Sequence, residues 1–180
     1  LAKFGFEQIE GGQRAGKPIY TVDKISKNST PIKAVSEKES RLALVVGCSD
    51  YHFTGNLSNP INDANSVDLK LKTLGFEVIK LSNPTQKDLK ISIDEFGDKL
   101  RGYNVGLFYF AGHGVQVKGL NYLIPVDANL KTEKMVEYDC VEANRVLSYI
   151  EDSKCEVAIM ILDACRDNPF ERSWSRGIGL

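Results

Sequence analysis

Three short stretches of this 180-residue chain are apolar without a break: Leu42–Val46, Leu107–Ala111 and Val157–Leu162. A strand with one wet face alternates apolar and polar residues, so a strand with no polar position needs apolar cover on both sides. Only a sheet sandwiched between helices offers that. The intervening sequence supplies the helices. Asn59-Pro60 suits a helix start, because Asn caps well and Pro fits the first turn. Ile61, Ala64, Val67, Leu71 and Leu74 then recur at helical spacing, and Gly75 ends the helix. Phe76–Leu81 follows as another strand. Asn83-Pro84 is expected to open a second helix, with Leu89, Ile93, Phe96 and Leu100 on one face. Residues 114–128 look like a hairpin turning near Lys118-Gly119, and residues 142–151 like a helix buried through Ala143, Val146, Leu147 and Ile150. Strands alternating with amphipathic helices predict an α/β fold, a mostly parallel sheet joined by right-handed crossovers.

The length fits one domain. Residues 1–40 stand apart, being rich in Gly, Lys, Ser and Thr without sustained periodicity. They read as an N-terminal extension in which Ile19–Val22 forms a strand or hairpin at a sheet edge; residues 41–180 carry the main fold. The fourth strand is followed only by a tail containing Trp174, Arg176, Gly177 and Gly179, so the sheet is expected to be incomplete here and to continue in a segment after residue 180.

Several function classes are disfavoured. A net charge of −1 creates no field that would gather nucleic acid or an acidic membrane. No apolar run approaches the roughly 20 residues that span a bilayer; no basic-then-apolar stretch is visible at the start, and since the sequence opens on Leu1 the question of an earlier signal stays open. The cysteines, Cys48, Cys140, Cys155 and Cys165, form no C-x-x-C pair, and the histidines are His52 and His113 alone. A structural zinc site is therefore not expected, nor is a disulfide framework; reduced thiols in the cytoplasm are. Gly11-Gly12-Gln13-Arg14-Ala15-Gly16-Lys17 imitates a phosphate-binding loop, but Pro18 stands where a magnesium-binding hydroxyl belongs and lacks an amide proton. It is read as a glycine-rich loop. Asn28-Ser29-Thr30 and Asn56-Leu57-Ser58 match glycosylation sequons too short to carry weight.

The residues with reactive potential cluster differently. His113 follows one buried strand and Cys165 another, which places both at strand C-terminal ends, the edge where open α/β sheets bind ligands. A thiol becomes a good nucleophile beside a base, and imidazole is the natural partner near neutral pH. Gly112 and Gly114 flank the histidine and let the backbone approach a substrate, with the Gly114 amide a candidate oxyanion donor. His52 is expected in an exposed loop, Lys131–Glu137 in a solvated stretch, and Cys48, Cys140, Cys155, Tyr109 and Tyr122 in packing.

Tyr109-Phe110-Ala111-Gly112-His113-Gly114 and Asp163-Ala164-Cys165-Arg166 resemble the two active-site motifs of the caspase-like cysteine proteases. The caspase signature Q-A-C-[RQG]-G has its histidine about 50 residues upstream, as His113 is of Cys165. Asn121–Ala128 and Ile161–Phe170 are similar to the corresponding segments of bacterial relatives, so the resemblance covers roughly residues 41–176. Asp163 replaces the signature's Gln and Asp167 its final Gly, which resembles the metacaspase, paracaspase and orthocaspase branch. The resemblance implies a caspase-like fold over the large-subunit region, a catalytic His113–Cys165 dyad, oxyanion donors at Gly114 and Cys165, and a pocket for a basic side chain formed by Asp163 and Asp63. It implies an endopeptidase that cleaves protein or peptide substrates after Arg, and less well after Lys. It further implies a small-subunit segment as partner. The chemistry needs no cofactor or metal; some metacaspases use calcium, and no compact acidic loop here establishes such a need. Arg176, in a Gly- and Ser-containing stretch, is a candidate self-processing site. The alternative reading is a caspase-fold pseudoprotease or regulatory binding module, whose usual mark is loss of the His or Cys; both are present.

Overall fold

All four expected parallel strands form in a computed structural model that describes residues 19–22 and 39–165. In chain order the elements are β1 (Ile19–Val22), β2 (Arg41–Gly47), α1 (Pro60–Thr73), β3 (Phe76–Ser82), α2 (Gln86–Leu100), β4 (Val105–Val117), β5 (Leu120–Leu123), a 3-10 turn (Glu133–Met135), α3 (Val136–Asp139), β6 (Val141–Glu142), α4 (Ala143–Ser153) and β7 (Val157–Cys165). The main sheet has the order β1-β7-β4-β2-β3, with β7, β4, β2 and β3 mutually parallel and β1 antiparallel to β7.

That order dictates where the helices lie. The chain steps from β2 outward to β3, then back across β2 to β4 and on to β7. Right-handed crossovers taken in opposite directions put their helices on opposite faces. α1 accordingly covers one face through Ala64 and Leu71 on Ala43, Val45, Leu107 and Tyr109. α2 and α4 cover the other through Leu89, Ile93, Phe96, Val146 and Ile150 on Leu42, Leu44, Phe108 and Phe110. Gly97 lets α2 and α4 cross closely, since a Cβ there would lie 2.2 Å from the Tyr149 ring.

Three expectations change in detail. The second helix does not open at Asn83-Pro84. Thr85 is its N-cap, in a reciprocal capping box with Asp88, while Asn83 takes a left-handed backbone with φ 51°. β4 does not stop at Ala111; it runs through His113 to Val117, because residues 114–117 leave the main sheet to pair antiparallel with β5. Lys118 and Gly119, both at positive φ, make the two-residue turn. Finally, Val136 within the expected solvated stretch is fully buried and anchors α3. The extension supplies β1, whose Ile19–Val22 pairs with Ala158–Ile161. The strand or hairpin expected at a sheet edge is therefore a strand on the β7 edge.

Candidate active site

β2 is followed outward by β3 on one side, and β4 by β7 on the other. The C-terminal ends of β2 and β4 therefore flank the point where strand order reverses, the natural crevice of such a sheet. α1 is drawn tightly against this edge at Gly47, where a Cβ would lie 2.8 Å from the Pro60 carbonyl oxygen and 2.9 Å from Ala64 Cβ. The last backbone link between β2 and β4 runs from Cys48 N–H to the Ala111 carbonyl at 2.9 Å. Beyond it the β2 chain peels away into a loop that Asn83 organises. Asn83 Oδ1 accepts from the Ser49 and Asp50 amides at 2.7 and 3.1 Å, and its Nδ2 donates to Asp50 Oδ2 at 2.6 Å. Leu57 N–H closes the loop on Ser49 O at 3.0 Å, and His52 N–H ties it to Val126 O at 2.9 Å. His52 itself is exposed, as expected.

His113 and Cys165 are Cα register partners on the adjacent parallel strands β4 and β7. The His113 Nε2 lies 3.0 Å from the Gly55 carbonyl oxygen. A carbonyl can only accept, so Nε2 carries the proton and Nδ1 keeps a free lone pair. The ring also packs on Tyr51 at a centroid distance of 4.6 Å, and the His113 main-chain N–H donates to Tyr51 Oη at 2.7 Å. Gly112 makes room for that hydroxyl, since a Cβ there would lie 2.6 Å from it. The backbone groups of one strand residue point to the same side. His113 uses both on the side of Tyr51 and Ile124, whose N–H donates to its carbonyl at 3.1 Å. Gly114 is one residue on, opposite Leu123 in a pair that exchanges no hydrogen bonds, so its amide points the other way, toward the β7 side.

Cys48 is no competing nucleophile. Burial pushes its thiol up to about 12, against a smaller opposing effect of the Tyr51 hydroxyl, which hydrogen-bonds to it. Burial likewise pushes the Tyr51 hydroxyl up, so both are neutral at physiological pH. Cys140 is also buried and pushed up to about 12, chiefly by burial.

Of the two expected pocket acids, Asp163 bonds to Tyr109 and Asp63 acts on the same hydroxyl only through its charge. Asp163, two residues before Cys165, accepts from Tyr109 Oη at 3.3 Å. Asp63 sits in the first turn of α1 and is partly exposed. Burial, then Asp163, then Asp63 push the Tyr109 hydroxyl up, so this phenol stays a neutral donor, bonded to Asp163 and acted on by Asp63 through its charge alone. Tyr109, expected to serve packing alone, is buried but turns its polar end to the acids. Tyr51 and Gly55 escaped the sequence reading. The signal that marks Tyr51 is its place just past a buried strand at the ligand-binding edge. Gly55 contributes only a carbonyl, which every residue type has. Arg176, the glycine-rich loop at 11–18 and the Asn28 sequon lie outside the described residues. Among those described, no group of three or more His, Cys, Asp or Glu is placed to hold a metal ion, and no helix is long and apolar enough to cross a membrane.

Comparison with known proteins connects this geometry to a family. Residues 40–177 match the family model described as Caspase domain. A stretch of 128 residues is 27% identical to the human mucosa-associated lymphoid tissue lymphoma translocation protein 1, covering 71% of this chain and 15% of that protein. The mouse homologue matches with the same identity and coverage. The chain therefore spans only a small part of the length of these curated relatives.

Proposed function

Since this chain belongs to the caspase domain family, we propose that it is a cysteine endopeptidase cleaving after Arg, and less readily after Lys, with Cys165 as nucleophile and His113 as acid and base. The observation that supports this most directly is the register pairing of His113 with Cys165, combined with an imidazole whose Nε2 is committed to the Gly55 carbonyl. That leaves Nδ1 for proton transfer. The Cys165 thiolate attacks the scissile carbonyl carbon, and the C=O π electrons move onto oxygen. The Gly114 and Cys165 amides stabilise that oxyanion. As the tetrahedral adduct collapses, the C–N bond breaks and protonated His113 delivers its Nδ1 proton to the leaving amine. Water then attacks the thioester, one of its protons returns to His113 and the C–S bond breaks, releasing the acid and restoring the Cys165 thiolate beside a protonated His113.

Specificity follows from charge. Asp63 and Asp163 repel each other across an empty pocket, and a guanidinium satisfies both with its fixed fork of donors. An ammonium is a single compact charge, hence Arg over Lys. An aspartate side chain would add a third negative charge. We place the enzyme's partner small-subunit segment after residue 180, and a self-processing cut at Arg176.

The test is a peptide-library cleavage assay on the complete protein. Wild type is expected to cut after Arg, weakly after Lys and not after Asp, while Cys165→Ala and His113→Ala fold normally and lose several orders of magnitude in kcat. An active Cys165→Ala protein, or cleavage after Asp, overturns the reading. Mass spectrometry of wild type beside Cys165→Ala tests the cut at Arg176; equal cleavage in both removes self-processing.

A further inference from the structure

We propose that Tyr51 is a positioning residue for His113, through a hydroxyl that takes the place of a missing sheet neighbour; this rests on the dyad assignment made above. Alternate residues of β4 direct their main-chain groups toward β2. At Ala111 the group on that side is satisfied by Cys48 N–H, but two residues later β2 has already turned into its loop. The His113 N–H faces that gap. Tyr51 Oη fills it at 2.7 Å, and Tyr51 is itself only 6% exposed. Cys48 lies beside the same hydroxyl: a Cβ at position 112 would sit 2.6 Å from Tyr51 Oη and 3.0 Å from Cys48 Cβ. The same ring packs against the imidazole at 4.6 Å, and the loop that carries Tyr51 also supplies the Gly55 carbonyl on Nε2. One loop thus grips the histidine at its backbone, its ring face and one ring nitrogen. The side chain at position 112 is excluded by the same hydroxyl, which explains why glycine precedes the histidine.

Loss of the hydroxyl releases the backbone end of the histidine while leaving the ring contact. Misplacing a catalytic group by about 1 Å costs on the order of a hundredfold in rate. For Tyr51→Phe in the complete protein we expect kcat for an Arg peptide to fall about ten- to a hundredfold with KM unchanged, because the pocket acids stand on other elements. The second readout needs no peptide cleavage. It is the pH dependence of iodoacetamide alkylation at Cys165, followed by mass spectrometry of that peptide. In wild type the histidine-paired thiol reacts well below the pH range of a free thiol; His113→Ala moves the profile up toward it. Tyr51→Phe is expected to move it in the same direction, and Cys48→Ala, which removes the side chain packed beside the hydroxyl, to move it less. Should Tyr51→Phe lack a cooperative unfolding transition, Cys48→Ala carries the test alone. If Tyr51→Phe and Cys48→Ala both alkylate as wild type while His113→Ala is shifted, the positioning role is wrong and the dyad stands. If His113→Ala leaves the profile unmoved as well, the dyad and the positioning role fall together. A kcat loss no larger than the loss of folded protein also overturns the proposal.

Discussion

Cys48, Cys140 and the Tyr51 hydroxyl are buried and held neutral, and their state has a measurable cost at high pH. A thiol whose folded pKa is raised binds more protons when folded than when unfolded. Its contribution is complete below the unfolded value of about 8.5 and is lost as pH climbs from there toward the folded value. Each such thiol should steepen the fall in unfolding free energy above pH 9 by roughly 1.4 kcal/mol per pH unit. Denaturant unfolding of wild type against Cys48→Ala measures this; equal slopes would mean Cys48 titrates normally. The pocket yields a second residue-level expectation. Asp163→Asn and Asp63→Asn should each raise KM for Arg peptides about tenfold or more while leaving the rate of Cys165 alkylation intact. Tyr109→Phe removes the donor that fixes Asp163 and should reduce the ratio of Arg to Lys cleavage, measured with paired fluorogenic peptides.

At the scale of elements, the placement of α1 determines the placement of Asp63. Gly47→Ala forces a Cβ against the Pro60 carbonyl and Ala64, and the helix must shift. Overpacking of this kind costs about 1–3 kcal/mol, read by denaturant unfolding. The shift should also raise KM for Arg peptides with little change in alkylation of Cys165. Thr85→Ala removes the hydroxyl of the α2 capping box and should cost about 1 kcal/mol by the same measurement. That capping box also shows what the sequence reveals and what it conceals. Apolar runs, helical spacing and the Lys118-Gly119 turn were sufficient to find the sheet, its helices and the hairpin. Asn83-Pro84 misled because Asn favours two situations, a helix cap and a left-handed backbone. Thr85-x-x-Asp88, one step further on, identifies the true start. The extent of β4 was hidden because the Gly-His-Gly segment and Gln116 interrupt its apolar character, although the backbone remains extended. Asp63 and Asp163 were legible only by resemblance. The bond from Tyr109 to Asp163 was not, since a tyrosine in a buried strand reads as packing until the position of its hydroxyl is known.

For the molecule as a whole, Ile19–Val22, expected as a strand or hairpin at a sheet edge, lies antiparallel along part of the β7 edge. An unpaired edge of this type invites pairing with other chains. Deleting residues 1–23 should therefore cause self-association, visible by sedimentation velocity as a species heavier than monomer at concentrations where the longer chain is monomeric. An unchanged sedimentation profile would mean β1 does not protect the edge. β4 connects the remaining parts. Its Val105–His113 stretch belongs to the main sheet and its Gly114–Val117 stretch to the small β5–β6 layer. The histidine stands at the seam where a single strand passes from the first plate to the second, with β7 beside it and the outer hairpin beginning at the next residue.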